Sequence, residues 1–161
     1  MKTKSALWLI AGIILTAAML FGLASFISHS THSTLSNREV ALICTTDMAT
    51  QFHIHPNLKI VINESVQEIP ANIGVNATCM NPLHTHDASG ILHIESPEKR
   101  DFSLGDFFAV WGQPFSKDQI LDYKIDAEHQ ILVTVNGASV DSYENTILRD
   151  HDQIVITYEN K

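Results

Sequence analysis

The sequence predicts an α+β domain, a mostly antiparallel sheet of hairpins with one short helix against it, carried behind a single N-terminal hydrophobic segment. Three observations predict this. Apolar residues alternate with polar ones in short segments from Phe52 onward, turn residues join those segments in pairs, and only the stretch around Phe107 has the capped, apolar character of a helix. A β-grasp-like order satisfies the pattern; a β-sandwich carrying one helix is the alternative.

The hydrophobic segment comes first. Residues 6–27 carry no charged side chain, and at about 1.5 Å per residue a helix of that length crosses a hydrocarbon core of roughly 30 Å. Lys2 and Lys4 precede it, so the positive-inside bias keeps residues 1–5 in the cytoplasm and exports the rest. This predicts a transmembrane signal-anchor at 6–27, a polar tether at 28–36 and one extracytoplasmic globular domain at 37–161. Gly22, Ala24 and Ser25 also fit a signal-peptidase site, which would leave a secreted or periplasmic protein. The apolar stretch outruns the roughly 7–15 residues of a signal-peptide core, which favours the retained anchor.

All 18 acidic residues fall in the domain whereas Lys2 and Lys4 do not, so the domain is more acidic than the chain's net charge of −8. That excludes nucleic acid and an anionic lipid surface as partners of the domain and leaves cations or basic surfaces. Cys44 and Cys79 are the only cysteines. An even count in an oxidising compartment predicts a disulfide between them.

Within the domain, Phe52 to Ile62 alternates as a strand, with Ile54, Leu58, Ile60 and Ile62 on one face and His53, His55, Asn57 and Lys59 on the other. Asn63-Glu64-Ser65 turns the chain into Val66 to Ile69, a hairpin that Pro70 closes. Leu83 to Thr85 and Ile91 to Ile94 flank Asp87-Ala88-Ser89-Gly90 and form a second hairpin. Ser103 followed by Asp106 starts a helix through Phe107, Phe108, Val110 and Trp111, which Gly112 and Pro114 stop. Those aromatic side chains read as core. Gln130 to Val135, the Asn136-Gly137 turn and Ala138 to Val140 make a further hairpin, and Ile154 to Tyr158 is the last strand.

Five of the nine histidines sit in three short groups: His53-Ile54-His55, His84-Thr85-His86 and His93-Ile94-Glu95. Side chains at i and i+2 of a strand share a face, where two imidazoles reach one cation. His53 with His55, and His93 with Glu95, lie opposite the apolar face of their strands. The Asp87–Gly90 turn folds His84 and His86 back towards His93. Nitrogen donors with one carboxylate suit Zn(II) or Cu(II), and the expected ligands are His53, His55, His84, His86, His93 and Glu95. No organic cofactor is indicated.

A thiolate-copper centre using Cys79 and His84 lacks both a free thiolate and a downstream methionine, since Ala88 stands where one would serve. Asp150 and Asp152 lack the surrounding oxygen ligands of a calcium loop. Two further uses of the same residues stand beside metal binding: a metal-dependent or His/Glu acid-base enzyme, and a metal-free protein-interaction module.

The segments His53-Ile-His-Pro-Asn-Leu58, Pro82-Leu-His-Thr-His-Asp-Ala-Ser-Gly90 with His93-Ile-Glu95, and Leu104-Gly-Asp-Phe-Phe-Ala-Val-Trp-Gly112 together resemble a group of uncharacterised bacterial and archaeal proteins. Those proteins often begin with a similar hydrophobic segment. The resemblance covers roughly residues 52–114 and the strand region at Asn136-Gly137. It implies that the three histidine groups and the helix belong to one domain type, and it implies no reaction.

Overall fold

Strand alternation and the predicted helix after Ser103 account for most of the architecture, and a second short helix, capped by Ser36 with Glu39, adds to the one that the sequence predicts. A computed structural model describes residues 35–46 and 50–161. The expected anchor at 6–27 lies outside the described residues, as does the tether up to residue 34; among the described residues no helix is long and apolar enough to cross a membrane. The result is a mixed α/β domain with mostly antiparallel sheets and few helices.

Helix α1 (Asn37–Ala41) precedes strands β1 (Phe52–Ile54), β2 (Asn57–Ile62), β3 (Ser65–Gln67), β4 (Leu83–His84) and β5 (His93–Ser96). Helix α2 (Leu104–Trp111) follows, then the short β6 (Phe115–Ser116), β7 (Gln119–Ile120) and β8 (Tyr123–Lys124), and finally β9 (His129–Val135), β10 (Ala138–Val140) and β11 (Gln153–Asn160). The main sheet has the order β10-β9-β11-β2-β3, in which β11 runs parallel to β2 and every other pairing is antiparallel. Leu58, Ile60 and Ile62 of β2, Ile131 and Val133 of β9, and Ile154, Ile156 and Tyr158 of β11 are all buried on one side. Leu104, Phe107 and Phe108 of α2 belong to the same apolar cluster, as their sequence predicts, and the partly buried Trp111 packs against it.

The caps on α2 are also those predicted. Ser103 and Asp106 form a reciprocal capping box, and Gly112 closes the helix at φ 73°, a left-handed conformation that glycine adopts without steric cost. Asp106 is buried and accepts a 2.7 Å hydrogen bond from Arg38 Nε, which fastens α1 onto the start of α2.

The predicted strand from Phe52 to Ile62 is two strands. Pro56 has no N–H to give a ladder, and the chain changes partners at that point. β1 lies at the edge of a second sheet, of order β1-β5-β4, whereas β2 enters the main sheet. The side-chain alternation survives the break, because Asn57 still bridges Ile91 in the register that β1 keeps with β5. Gly90 makes the close approach feasible: its carbonyl accepts the Leu58 N–H at 2.8 Å, and at φ 85° a Cβ there would run into the Leu58 carbonyl oxygen.

Three short strands, β6-β7-β8, form a third sheet. Each spans two residues, too few for a readable alternation.

Cys44 and Cys79 are joined, with Cα atoms 5.4 Å apart and a sequence separation of 35. Closing a loop of that length restricts the unfolded chain and contributes about 4 kcal/mol in the chain-entropy picture. The Cys44→Ser/Cys79→Ser double variant is expected to unfold at lower urea with an unfolding free energy reduced by about that amount, and an unchanged denaturation midpoint would refute this.

Candidate metal centre

The site is assembled across the three-stranded sheet, with β5 in the middle. Antiparallel pairing sets His53 opposite Glu95 and His84 opposite His93. Continued through Pro56 to the Asn57–Ile91 bridge, the same register sets His55 opposite His93 on its other side. Cross-strand neighbours on one face are close enough for their side chains to touch. All six predicted residues therefore come together on the face opposite Ile54 and Ile94, which are buried in the core.

The contacts follow from that register. His53 Nε2 lies 3.1 Å from Glu95 Oε1 and 3.4 Å from His93 Nδ1. Ring centroids of His55 and His86 stand 4.7 and 4.5 Å from that of His93, both edge-on, while His84 stacks on His93 at 5.4 Å. The ligand atoms of His84, His86, His93 and Glu95 all lie within 4.8 Å of one another, and so do those of His53, His55 and His93.

His84 is the deepest member, with its side chain 0% exposed. Its Nδ1 lies 2.9 Å from the Asn81 carbonyl oxygen, which can only accept, so Nδ1 carries the proton and Nε2 presents a lone pair. Burial holds the ring in its neutral form by pushing its pKa down. Among the described residues Nε2 has no hydrogen-bond partner, and Glu95 Oε1 lies 3.8 Å from it. A buried lone pair thus lies beside a partly exposed carboxylate oxygen. A cation between them resolves the conflict, and a histidine held by an Nδ1–H to a backbone carbonyl is the arrangement that commonly supports a metal ligand.

His93 is pushed down to about 4, first by burial and then by the imidazoles of His86, His55, His84 and His53 around it. Protonated rings repel one another here, whereas neutral rings offer their lone pairs together. The cluster can hold a metal ion; the donor set does not decide which one.

Groups outside the histidine pattern hold the ligands in place. Asp150 Oδ1 accepts the His55 backbone N–H at 2.9 Å, which fixes the corner at Pro56. Thr50 Oγ1 lies 3.4 Å from Glu95 Oε2. Asp152 accepts from Asn136 Nδ2 at 2.8 Å and so belongs to the turn before β11, as a polar-turn reading of that pair requires. No spacing rule points from Asp150 to His55, 95 residues away; the link arises only from the parallel pairing of β2 with β11. The disulfide at Cys79 removes the thiolate that a copper-cysteinate centre needs.

The depressed His93 sets a sign for pH dependence. An unfolded chain protonates this ring near the ordinary value of 6.5 but the folded metal-free protein does so only near 4. Stability is therefore intact above about 6.5 and falls as the pH drops from there towards about 4, because the unfolded state takes up the proton first. Urea midpoints of the metal-free protein should decline over that window, and His93→Gln should flatten the decline; an equal slope in the variant would assign it elsewhere.

No known protein family, no curated protein and no solved structure matches this chain, so the geometry of the cluster is what carries a functional reading.

Proposed function

We propose that this protein is a membrane-anchored, extracytoplasmic metal-binding domain that takes up Cu(II) or Zn(II) through His53, His55, His84, His86, His93 and Glu95. One observation carries the reading: the buried, partnerless Nε2 of His84 facing the Glu95 carboxylate inside a cluster of imidazoles. Late first-row ions prefer such nitrogen-rich sets, and Mg(II) does not. The cluster grades from His84, 0% exposed, to His53, 42% exposed. A site open at one end suits an ion that is exchanged, passed on or used in electron transfer, or one that keeps a position for water; a purely structural site is closed. We read the five-stranded sheet as β-grasp-like. Its first and last strands, β2 and β11, lie parallel at the centre, hairpin partners flank them, and the helix follows the first hairpin.

The anchor at 6–27 belongs to the same proposal, and the disulfide supports an oxidising location. After carbonate extraction the chain is expected in the membrane pellet at its full mass; a soluble species beginning near Ser25 would replace the anchor with a cleaved signal peptide.

A cation that binds only the folded state stabilises it by about 2.7 kcal/mol at a hundredfold excess over Kd. For the tag-free full chain in detergent, Cu(II) or Zn(II) should raise the unfolding temperature, Mg(II) should not, and the effect should fade as pH falls towards about 4, where His93 of the folded protein takes up a proton. His86 is exposed, so His86→Ala should leave the metal-free fold intact while reducing the shift. Absence of any shift with either ion at neutral pH would end the metal reading in favour of an acid-base or interaction role.

A further inference from the structure

His93 occupies a position that the other ligands do not. Among the described residues two sets of donors converge within 4.8 Å, one of four residues (His84, His86, His93, Glu95) and one of three (His53, His55, His93), and His93 is their one common member. The rings of His53, His55, His84 and His86 all stand within 5.7 Å of its own. Its Nδ1 faces His53 Nε2 at 3.4 Å, and its second nitrogen is on the other edge of the ring. Six donor residues also exceed the roughly four that one tetrahedral ion accepts.

Resting on the metal-binding reading above, we propose that the cluster holds two late first-row divalent ions side by side, with His93 bridging them as an imidazolate. One ion takes His84, His86 and Glu95 together with one nitrogen of His93, a complete four-ligand set around the buried His84. The other takes His53, His55 and His93 Nδ1, three ligands at the exposed end with a position left open. Sets of four and three correspond to the closed and open coordination that separate structural from reactive sites. A neutral imidazole has a single ring lone pair, so bridging requires His93 to give up its remaining N–H proton. The proton goes to solvent as the second ion binds, and the two new metal–nitrogen bonds use one lone pair each. No electron changes hands.

Zn(II) is the probe for stoichiometry and Cu(II) the probe for bridging, both with the full chain in detergent. Equilibrium dialysis followed by metal analysis should give two Zn(II) per chain, and His53→Ala/His55→Ala, which alters the open end, should retain one. The two-copper form should show an exchange-coupled electron paramagnetic resonance spectrum, and the double variant the spectrum of one isolated Cu(II). One tightly held ion in the unaltered chain would overturn the paired site and leave the metal-binding reading standing. Two ions with uncoupled spectra would overturn the bridging role of His93, and no bound ion would overturn both readings.

Discussion

Register between β5 and its two neighbours is the constraint on which the site depends. Strand side chains have a period of two, so a slip of one residue between β1 and β5 would turn His53 and His55 inward and Ile54 outward. Two features outside the sheet prevent that slip. Gly90 takes the Leu58 N–H in the stretch just before β5, and Asn57 donates its backbone N–H to the Asp152 carbonyl at 2.8 Å. The β1–β5 register is thereby locked to β2, and β2 is locked to β11 through six paired positions from Asn57 to Ile62. The large apolar sheet thus sets the positions of a small polar one.

The disulfide serves the same end through Asn81. Asn81, whose carbonyl fixes the tautomer of His84, lies two residues beyond Cys79. Its side-chain Nδ2 donates to the Ala41 carbonyl at 3.0 Å, and its backbone N–H donates to that of Gly74 at 2.8 Å. Thr45 and Met80 exchange two backbone hydrogen bonds beside the bridge. A carbonyl so held cannot turn away from Nδ1, so the lone pair of Nε2 keeps its direction whether or not an ion is bound. Pre-orientation of this kind lowers the entropy lost on binding.

Much of this was legible in the sequence because it is local. Hairpin turns, the capping box at Ser103 and Asp106, and the i, i+2 placement of histidines on strand faces each depend on a few neighbouring residues. The face carried by His53 and His55 survives even though the strand itself breaks at Pro56, because alternation is a property of extended backbone and not of a continuous ladder. The rest is set by partners far along the chain. The parallel placement of β11 beside β2, the side-by-side alignment of His55, His93 and His84, and the support from Asp150 all require contacts that no window of sequence contains. The burial of His84 was equally hidden, for nothing in His84-Thr85-His86 distinguishes its first imidazole, 0% exposed, from its exposed second.

That burial gives the cluster its character. A metal-free site of neutral imidazoles avoids mutual repulsion, at the cost of leaving one inward lone pair unanswered and close to a carboxylate. Protonating His84 would answer the lone pair, but burial opposes the charge and, with His86 and His53, outweighs the Asn81 carbonyl and Glu95, which favour it. A bound divalent ion escapes the first objection because its own ligand bonds replace its hydration, and it turns the neighbouring rings from repelling groups into donors. Burial therefore disfavours a proton on His84 and on His93, and the cluster around them can hold a metal ion instead.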